Sequence, residues 1–328
     1  MVSHFPISKI IKEHTPNQFK ELALELFQYQ AKNNSVYCDF LSHLNIDVQK
    51  IANLESIPFL PISLFKTHKV KTNNFEPEIT FLSSATTGQK QSNHFVKSTE
   101  IYEESFIKGF ENLYGPIKNL KIFGLLPSYL ERSGSSLVYM VKKMIEICQF
   151  EESGFFLNDF EALKNAILTS EKEKQPYLLI GVSFGLLDFS EKFNFSLKHA
   201  IVMETGGMKG RRKEITRSEL HETLKNSFGV KQIHSEYGMT ELLSQAYAKQ
   251  NGIFETPPWM KVFVRETNDP LATLTKGRGG LNIIDLANVD SCAFIATEDL
   301  GNLYPNGTFE VLGRFDNAEV RGCNLMVF

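Results

Sequence analysis

The chain has 328 residues, 42% of them hydrophobic and 22% charged, which suits a globular protein with a sizeable core and excludes a disulfide-stapled mini-protein. Its 35 basic and 38 acidic side chains leave a net charge of −3, without the basic surplus that gripping a phosphate backbone needs, so no nucleic-acid partner is expected. Cys38, Cys148, Cys292 and Cys323 form no C-x-x-C pair, which argues against a zinc site or a disulfide framework and for reduced thiols in the cytoplasm.

Residues 1–77 read as mainly helical. Thr15 and Gln18 form a capping box, Pro16 suits a first helical position, and Phe19, Leu22, Ala23, Leu26 and Phe27 fall on one face. Ile57-Pro58-Phe59-Leu60-Pro61 then breaks the helical period, because each proline pushes its predecessor toward extended geometry. Residues 78–251 alternate strands and helices, the pattern of βα units around a largely parallel sheet. Strands are expected at Leu120–Leu126, Tyr177–Val182 and His199–Met203. Helices are expected where Tyr102, Phe106, Phe110 and Leu113 share a face, where Phe160, Leu163 and Ile167 do, and after the Thr216/Glu219 capping box. Residues 252–328 carry short strand-like pieces (Met260–Arg265, Gly280–Asp285, Cys292–Ala296, Thr308–Leu312) between glycines and prolines, which suggests an antiparallel, barrel-like unit. The start lacks the charged and apolar segments of a signal peptide. The longest apolar stretch, Tyr177–Phe189, is too short and too interrupted for a membrane span. The 27 Phe against 1 Trp favour a Phe-rich core over a dedicated hydrocarbon pocket.

Five segments carry residues capable of chemistry. Ser83-Ser84-Ala85-Thr86-Thr87-Gly88, after the strand-like Ile79–Leu82, can wrap N–H and O–H donors around an anion; a Ser/Thr-rich turn is equally a solvated loop. In Ser235-Glu236-Tyr237-Gly238-Met239-Thr240-Glu241, Tyr237 offers a stacking face, Gly238 a close backbone approach, Thr240 a phosphate donor and Glu241 a hard oxygen for Mg²⁺. The competing reading is a helix entry with Glu241 in its first turn. Thr297-Glu298-Asp299 and Gly313-Arg314-Phe315-Asp316 supply an acceptor for ribose hydroxyls and a cation for phosphate, or plain turns. Glu204-Thr205-Gly206-Gly207 allows a planar ligand near the backbone, or a tight turn. Of the other candidates, His221-Glu222 is followed by Lys225 where a zinc protease needs histidine; Lys209–Lys213 is a basic run that reads as a solvated turn, or as a draw for an anionic ligand or an acidic partner. His94 and His234, near the two main motifs, read as satisfied structural histidines rather than as residues that orient a substrate.

Taken in order, T-T-G, G-G, Y-G-M-T-E, T-x-D and G-R-x-D resemble the signature series of the adenylate-forming acyl-activating superfamily. Thr205-Gly206-Gly207-Met208-Lys209-Gly210-Arg211 and Arg321-Gly322-Cys323-Asn324-Leu325 resemble, within it, the LuxE-type acyl-protein synthetases of fatty-acid reductase complexes. The resemblance implies the α/β N-terminal core of an adenylate-forming enzyme, with mostly parallel sheets flanked by helices and a small β-rich barrel-like subdomain, and without the C-terminal lid domain. It implies ATP and Mg²⁺ as cofactors. Ser84, Thr86, Thr87 and Gly88 would hold the β- and γ-phosphates; Gly206, Gly207, Tyr237 and Gly238 would line the adenine slot. Thr240 would touch the α-phosphate, Glu241 would bind Mg²⁺, Asp299 would take the ribose hydroxyls, and Arg314 the ribose or the departing pyrophosphate. Cys323 would carry the acyl group as a thioester, formed from a long-chain fatty acid and passed to an acyl-CoA or acyl-protein reductase partner. Arg321 nearby favours its thiolate. Cys38, Cys148 and Cys292 would be structural, in apolar surroundings, and Ile180–Gly185 would suit an acyl tunnel.

The chain departs from the pattern at Ala85, where the family carries glycine, at Lys90-Gln91 in place of Pro-Lys, at Glu298 in the glycine position of T-G-D, and in the four residues between Asp316 and Arg321. Two other readings therefore stand beside the first: a ligase resembling phenylacetate–CoA ligase that has lost its lid, and a non-catalytic nucleotide- or acyl-binding subunit.

Overall fold

The computed structural model describes residues 5–84, 90–127, 134–206, 215–266 and 269–314. In chain order the elements are helices α1 (Ile7–Ile10), α2 (Pro16–Asn33) and α3 (Ser35–His43), strand β1 (Leu60–Pro61), α4 (Leu64–Thr67), and the hairpin of β2 (Ile79–Leu82) and β3 (Asn93–Val96). Then come α5 (Thr99–Tyr114), β4 (Lys121–Leu125), α6 (Ser136–Cys148), β5 (Gly154–Phe155), α7 (Phe160–Glu173), β6 (Tyr177–Gly181), α8 (Ser183–Lys192), β7 (Ala200–Glu204), α9 (Arg217–Phe228), β8 (His234–Tyr237) and β9 (Ala246–Ala248). Strands β10 (Met260–Arg265), β11 (Thr273–Leu274), β12 (Gly277–Asp285), β13 (Phe294–Leu303) and β14 (Phe309–Arg314) complete the series.

Both predicted capping boxes form. Thr15 Oγ1 accepts from the Gln18 N–H at 3.3 Å while Gln18 Oε1 accepts from the Thr15 N–H at 3.0 Å, and Thr216 and Glu219 repeat the exchange at α9. The predicted apolar face of α2 is buried. One helix has no periodic signal: α8 is buried on nearly every side and shows no polar stripe.

One sheet runs β5-β4-β6-β7-β8-β9, parallel except for β9. Its inner strands β4 and β6 are buried along their whole length and read accordingly as unbroken apolar runs. The second sheet runs β11-β10-β12-β13, with β13 flanked on its other side by parallel β1 and then antiparallel β14. Irregularities at Gly280/Asn282 and Leu300/Gly301 let it curl into a half-barrel.

The N-terminal helices dock on this second sheet. Gln30 Nε2 donates to the carbonyls of Asn288, Val289 and Ser291 while its Oε1 accepts from the Ala293 N–H. Phenylalanine fills the core: Phe27, Phe65, Phe81, Phe106, Phe110, Phe123, Phe189 and Phe228 are fully buried. The acyl-tunnel expectation for Ile180–Gly185 meets the same packing. Every residue of that segment is buried, and a Cβ on Gly181 would lie 2.7 Å from Leu125 Cβ, so the segment is core rather than channel wall. Among the described residues no helix is long and apolar enough to cross a membrane.

Candidate active site

In an open parallel sheet, ligands meet the carboxyl ends of the strands. β7 and β8 are paired neighbours (Glu204↔Ser235), so Glu204-Thr205-Gly206 and Tyr237-Gly238 leave the sheet side by side. Gly206 turns with φ +76°, and its N–H donates to Glu204 Oε2 at 2.6 Å. A Cβ there would meet nothing within 4 Å, so open space lies above this backbone. Burial alone would raise the Glu204 carboxyl, but hydrogen bonds from His221 and Ser235 and the charge of Arg217 outweigh it and hold it below the usual carboxylate range. Arg217 also donates to the Val311 carbonyl of β14 and lies over the Phe254 ring, which ties the end of β7 to the second sheet.

After β8 the chain makes a tight turn through residues 238–245; the expected helix entry does not form. The reason lies 42 residues on. Fully buried Asp285 accepts from the N–H groups of Leu243 (2.8 Å) and Ser244 (3.0 Å), from the Ser244 hydroxyl (2.6 Å) and from the Ala287 N–H. Two more side chains clamp successive carbonyls of the motif: His94 Nδ1 donates to Thr240 at 2.8 Å and Asn288 Nδ2 to Glu241 at 2.9 Å. A carbonyl only accepts, so His94 carries its proton on Nδ1; its Nε2 is buried without a partner, and burial lowers the ring to about 4. His94 is therefore not the satisfied histidine expected from the sequence. His234 also falls to about 4, from burial and then from Lys249 and His221.

Glu241, 5% exposed, is pushed up by burial and pulled back by the Ser92 hydroxyl and by the charges of Lys66 and Arg314. Ser92 stands at the base of the hydroxyl-rich loop, where its N–H donates to Ser83 Oγ at 2.9 Å and the Ser83 N–H donates to its carbonyl. Ser84 is exposed just beyond this closure. Thr86, Thr87, Gly88, Gly207 and Cys323 lie outside the described residues.

Asp299 sits in the middle of β13, not at a strand end, and is 8% exposed. The Tyr237 hydroxyl donates to its Oδ2 at 2.8 Å, and Arg314, its register partner on β14, places Nε 3.5 Å from Oδ1. Burial raises the Asp299 carboxyl, and both contacts oppose the rise. The Tyr237 ring packs against Phe254 and Phe309 and is 9% exposed, whereas the Arg314 side chain is 77% exposed. Gly238 leaves little room beside it: a Cβ would lie 2.4 Å from Glu236 Oε1 and 3.3 Å from Gln245 Cγ, so a side chain there would have to displace the Glu236 carboxylate.

The described parts of all five segments thus reach one edge. Tyr237 bonds Asp299, Asp299 pairs Arg314, and Glu241 lies in the field of Arg314 beside Ser92. Gly206 joins them through the β7–β8 pairing. Sequence reasoning missed Asp285, Asn288 and Lys66, none of which stands in a motif, and the geometry also reassigns Cys38, which is exposed rather than set among apolar neighbours. Cys148 and Cys292 are buried as expected, and burial pushes the Cys292 thiol to about 12.

Comparison with solved structures finds the same fold. ATP-bound MatB from Rhodopseudomonas palustris superposes with TM-score 0.53 at 15% identity, over 74% of this chain and 49% of that one. The 2-hydroxyisobutyryl-CoA ligase in its postadenylation state with 2-HIB-AMP gives 0.63 at 10% identity, over 93% and 70%. The chain thus spans about half the length of MatB. Comparison with curated proteins finds no match. The family model described as acyl-protein synthetase, LuxE, matches residues 3–328, and with the adenylate-forming core around it the chain belongs to the LuxE acyl-protein synthetase family.

Proposed function

We propose that this protein uses ATP to activate a carboxylic acid, a long-chain fatty acid, and carries the acyl group on its own Cys323. A carboxylate oxygen attacks the α-phosphorus and pyrophosphate leaves. The Cys323 thiolate then attacks the acyl carbon and AMP leaves, and the thioester passes to a reductase partner in the cytoplasm. The observation that carries this reading is the chain Tyr237–Asp299–Arg314 with Glu241 beside it, a buried acceptor and an exposed cation at the mouth of a hydroxyl-bearing hairpin. In this reading all three parts of the chain, 1–77, 78–251 and 252–328, border the site.

Asp299 takes the ribose hydroxyls and Arg314, free to swing, meets the ribose or the pyrophosphate. Gly206, Gly207, Tyr237 and Gly238 border the adenine, with Tyr237 also holding Asp299. Thr240 meets the α-phosphate, and Ser84, Thr86, Thr87 and Gly88 the outer phosphates. Among the described residues no three His, Cys, Asp or Glu side chains gather to cage a metal, but one buried hard carboxylate suits Mg²⁺, which draws most of its ligands from phosphates and water. Glu241 would hold it; when bound, the ion neutralises phosphate charge. The relatives support this chemistry: MatB is ATP-bound, and the hydroxyisobutyryl ligase holds an acyl-AMP.

The test is ATP–pyrophosphate exchange over a panel of carboxylic acids, followed by mass spectrometry of the protein. Exchange with fatty acids and an acyl adduct on Cys323 that vanishes in Cys323→Ser is the expected result. Exchange without an adduct would leave activation standing and remove the self-acylation step; no exchange with any acid would remove both. Thr87→Ala should weaken ATP binding, and unaltered affinity would take the loop out of the site.

A further inference from the structure

The most informative residue that the sequence motifs pass over is Lys66. β1 runs parallel to β13, with Leu60 and Pro61 opposite Ile295 and Ala296, and the Ile62 N–H donates to the Ala296 carbonyl at 3.0 Å. That pairing sets the short helix α4 beside Thr297-Glu298-Asp299. Phe65 anchors it, fully buried with its ring edge-on to His94 at 5.9 Å. Lys66, next in sequence, is left pointing along the site: its Nζ lies 3.8 Å from Glu298 Oε1, both side chains a little over one-third exposed, and its charge acts on the Glu241 carboxyl.

The distance is at the limit of an ion pair, and a partly exposed pair of this kind contributes little to stability. An ammonium so loosely held, on a helix fixed by a buried ring and facing the carboxylates that would border a polyphosphate, is placed to change partners. We infer that Lys66 is a further anion-binding residue of this site, parked on Glu298 in the free protein and moving to the phosphate oxygens of ATP or pyrophosphate when they bind. The inference rests on the nucleotide-binding reading above and extends it to a residue outside every motif.

The test uses the full chain and measures equilibrium binding of ATP with Mg²⁺, and of pyrophosphate, by calorimetry, with thermal unfolding as a check of the fold. Lys66→Met should weaken ATP about 10- to 100-fold, the loss expected for a charge-assisted hydrogen bond. Lys66→Arg should keep most of the affinity. Glu298→Gln should leave ATP binding unchanged or tighter, since it frees the lysine. All three should unfold close to the wild type. Wild-type binding matched by Lys66→Met overturns the inference and leaves the nucleotide site intact, as does an equal loss in Lys66→Met and Glu298→Gln, which marks a structural pair. A wild type that binds neither ligand overturns the nucleotide-binding reading and this inference with it.

Discussion

His94 offers a sharp test of how the turn through residues 238–245 is held. Its ring is buried, and burial outweighs the Thr240 carbonyl and the Asn288 side chain, both of which favour the protonated ring, so the folded chain prefers it neutral and lowers it from 6.5 to about 4. A depressed histidine stabilises the fold above the unfolded pKa and loses that contribution as pH falls from 6.5 toward 4, because the unfolded chain takes the proton first. At pH 5 the unfolded imidazole is nearly all protonated and the folded one about a tenth so, which between pH 7 and pH 5 amounts to about 2 kcal/mol. His94→Gln keeps a donor for the Thr240 carbonyl and removes the titration. Urea unfolding of both proteins at pH 7 and pH 5 isolates the effect, because every other group contributes equally to the two curves. The wild type should lose about 2 kcal/mol more than the variant over that interval. Curves that fall in parallel would refute the argument, since a neutral, buried His94 cannot give them.

Four other substitutions probe the same edge. Tyr237→Phe leaves buried Asp299 without its 2.8 Å donor and should cost about 1–3 kcal/mol in urea unfolding; it raises the carboxyl further, so ATP affinity should fall away at a higher pH than in the wild type. An unshifted pH profile would sever Asp299 from nucleotide binding. Arg314→Ala removes a 77% exposed cation and should change stability by under about 1 kcal/mol while weakening pyrophosphate binding measurably; unaltered binding would count against its role. Glu241→Gln removes a carboxyl that burial already penalises, so the fold should hold while the Mg²⁺ dependence of ATP binding disappears, as titration of the metal would show. Asp285→Ala strands four buried donors and should destabilise the protein by about 3 kcal/mol or more; a smaller loss would mean that the turn holds without it.

What the sequence made legible was local. The capping boxes at Thr15 and Thr216 use partners three residues away, the strands β4 and β6 announce themselves as unbroken apolar runs, and β10 occupies the residues its pattern marks. The five motif segments were legible as candidates because their residue types suit one chemistry. What stayed hidden depends on distant partners. The turn 238–245 reads locally as a helix start, and only Asp285 explains why it is not one. His94 meets Thr240 across 146 residues, and Lys66 reaches the site only because a two-residue strand docks on β13. The burial of α8 on nearly every side erased the periodicity by which a helix is recognised.

The arrangement divides the site's charges into two mechanical classes. The acids are fixed: Asp299 is held by Tyr237, and the turn bearing Glu241 is bound through Asp285 to Ser244, whose oxygen accepts from the Ser105 hydroxyl, itself accepting from Trp259 Nε1 at 2.9 Å. Of the cations, Arg314 is largely exposed and Lys66 partly so, held only by a 3.8 Å contact to Glu298. Burial raises both carboxyls; the Ser92 hydroxyl and the charges of Lys66 and Arg314 oppose the rise at Glu241, and the Tyr237 hydroxyl and Arg314 oppose it at Asp299. In the proposed reading, a preorganised acceptor set would cost no rearrangement when a nucleotide arrives, while less tightly held cations would follow charge from the triphosphate to the leaving pyrophosphate. Because Arg314 acts on both carboxyls and Lys66 on Glu241, removing both cations should raise Glu241 further than either loss alone. The double variant Lys66→Met/Arg314→Ala should therefore lose more ATP affinity than either single variant; a double loss no larger than that of Arg314→Ala alone would show that Lys66 adds nothing to the site.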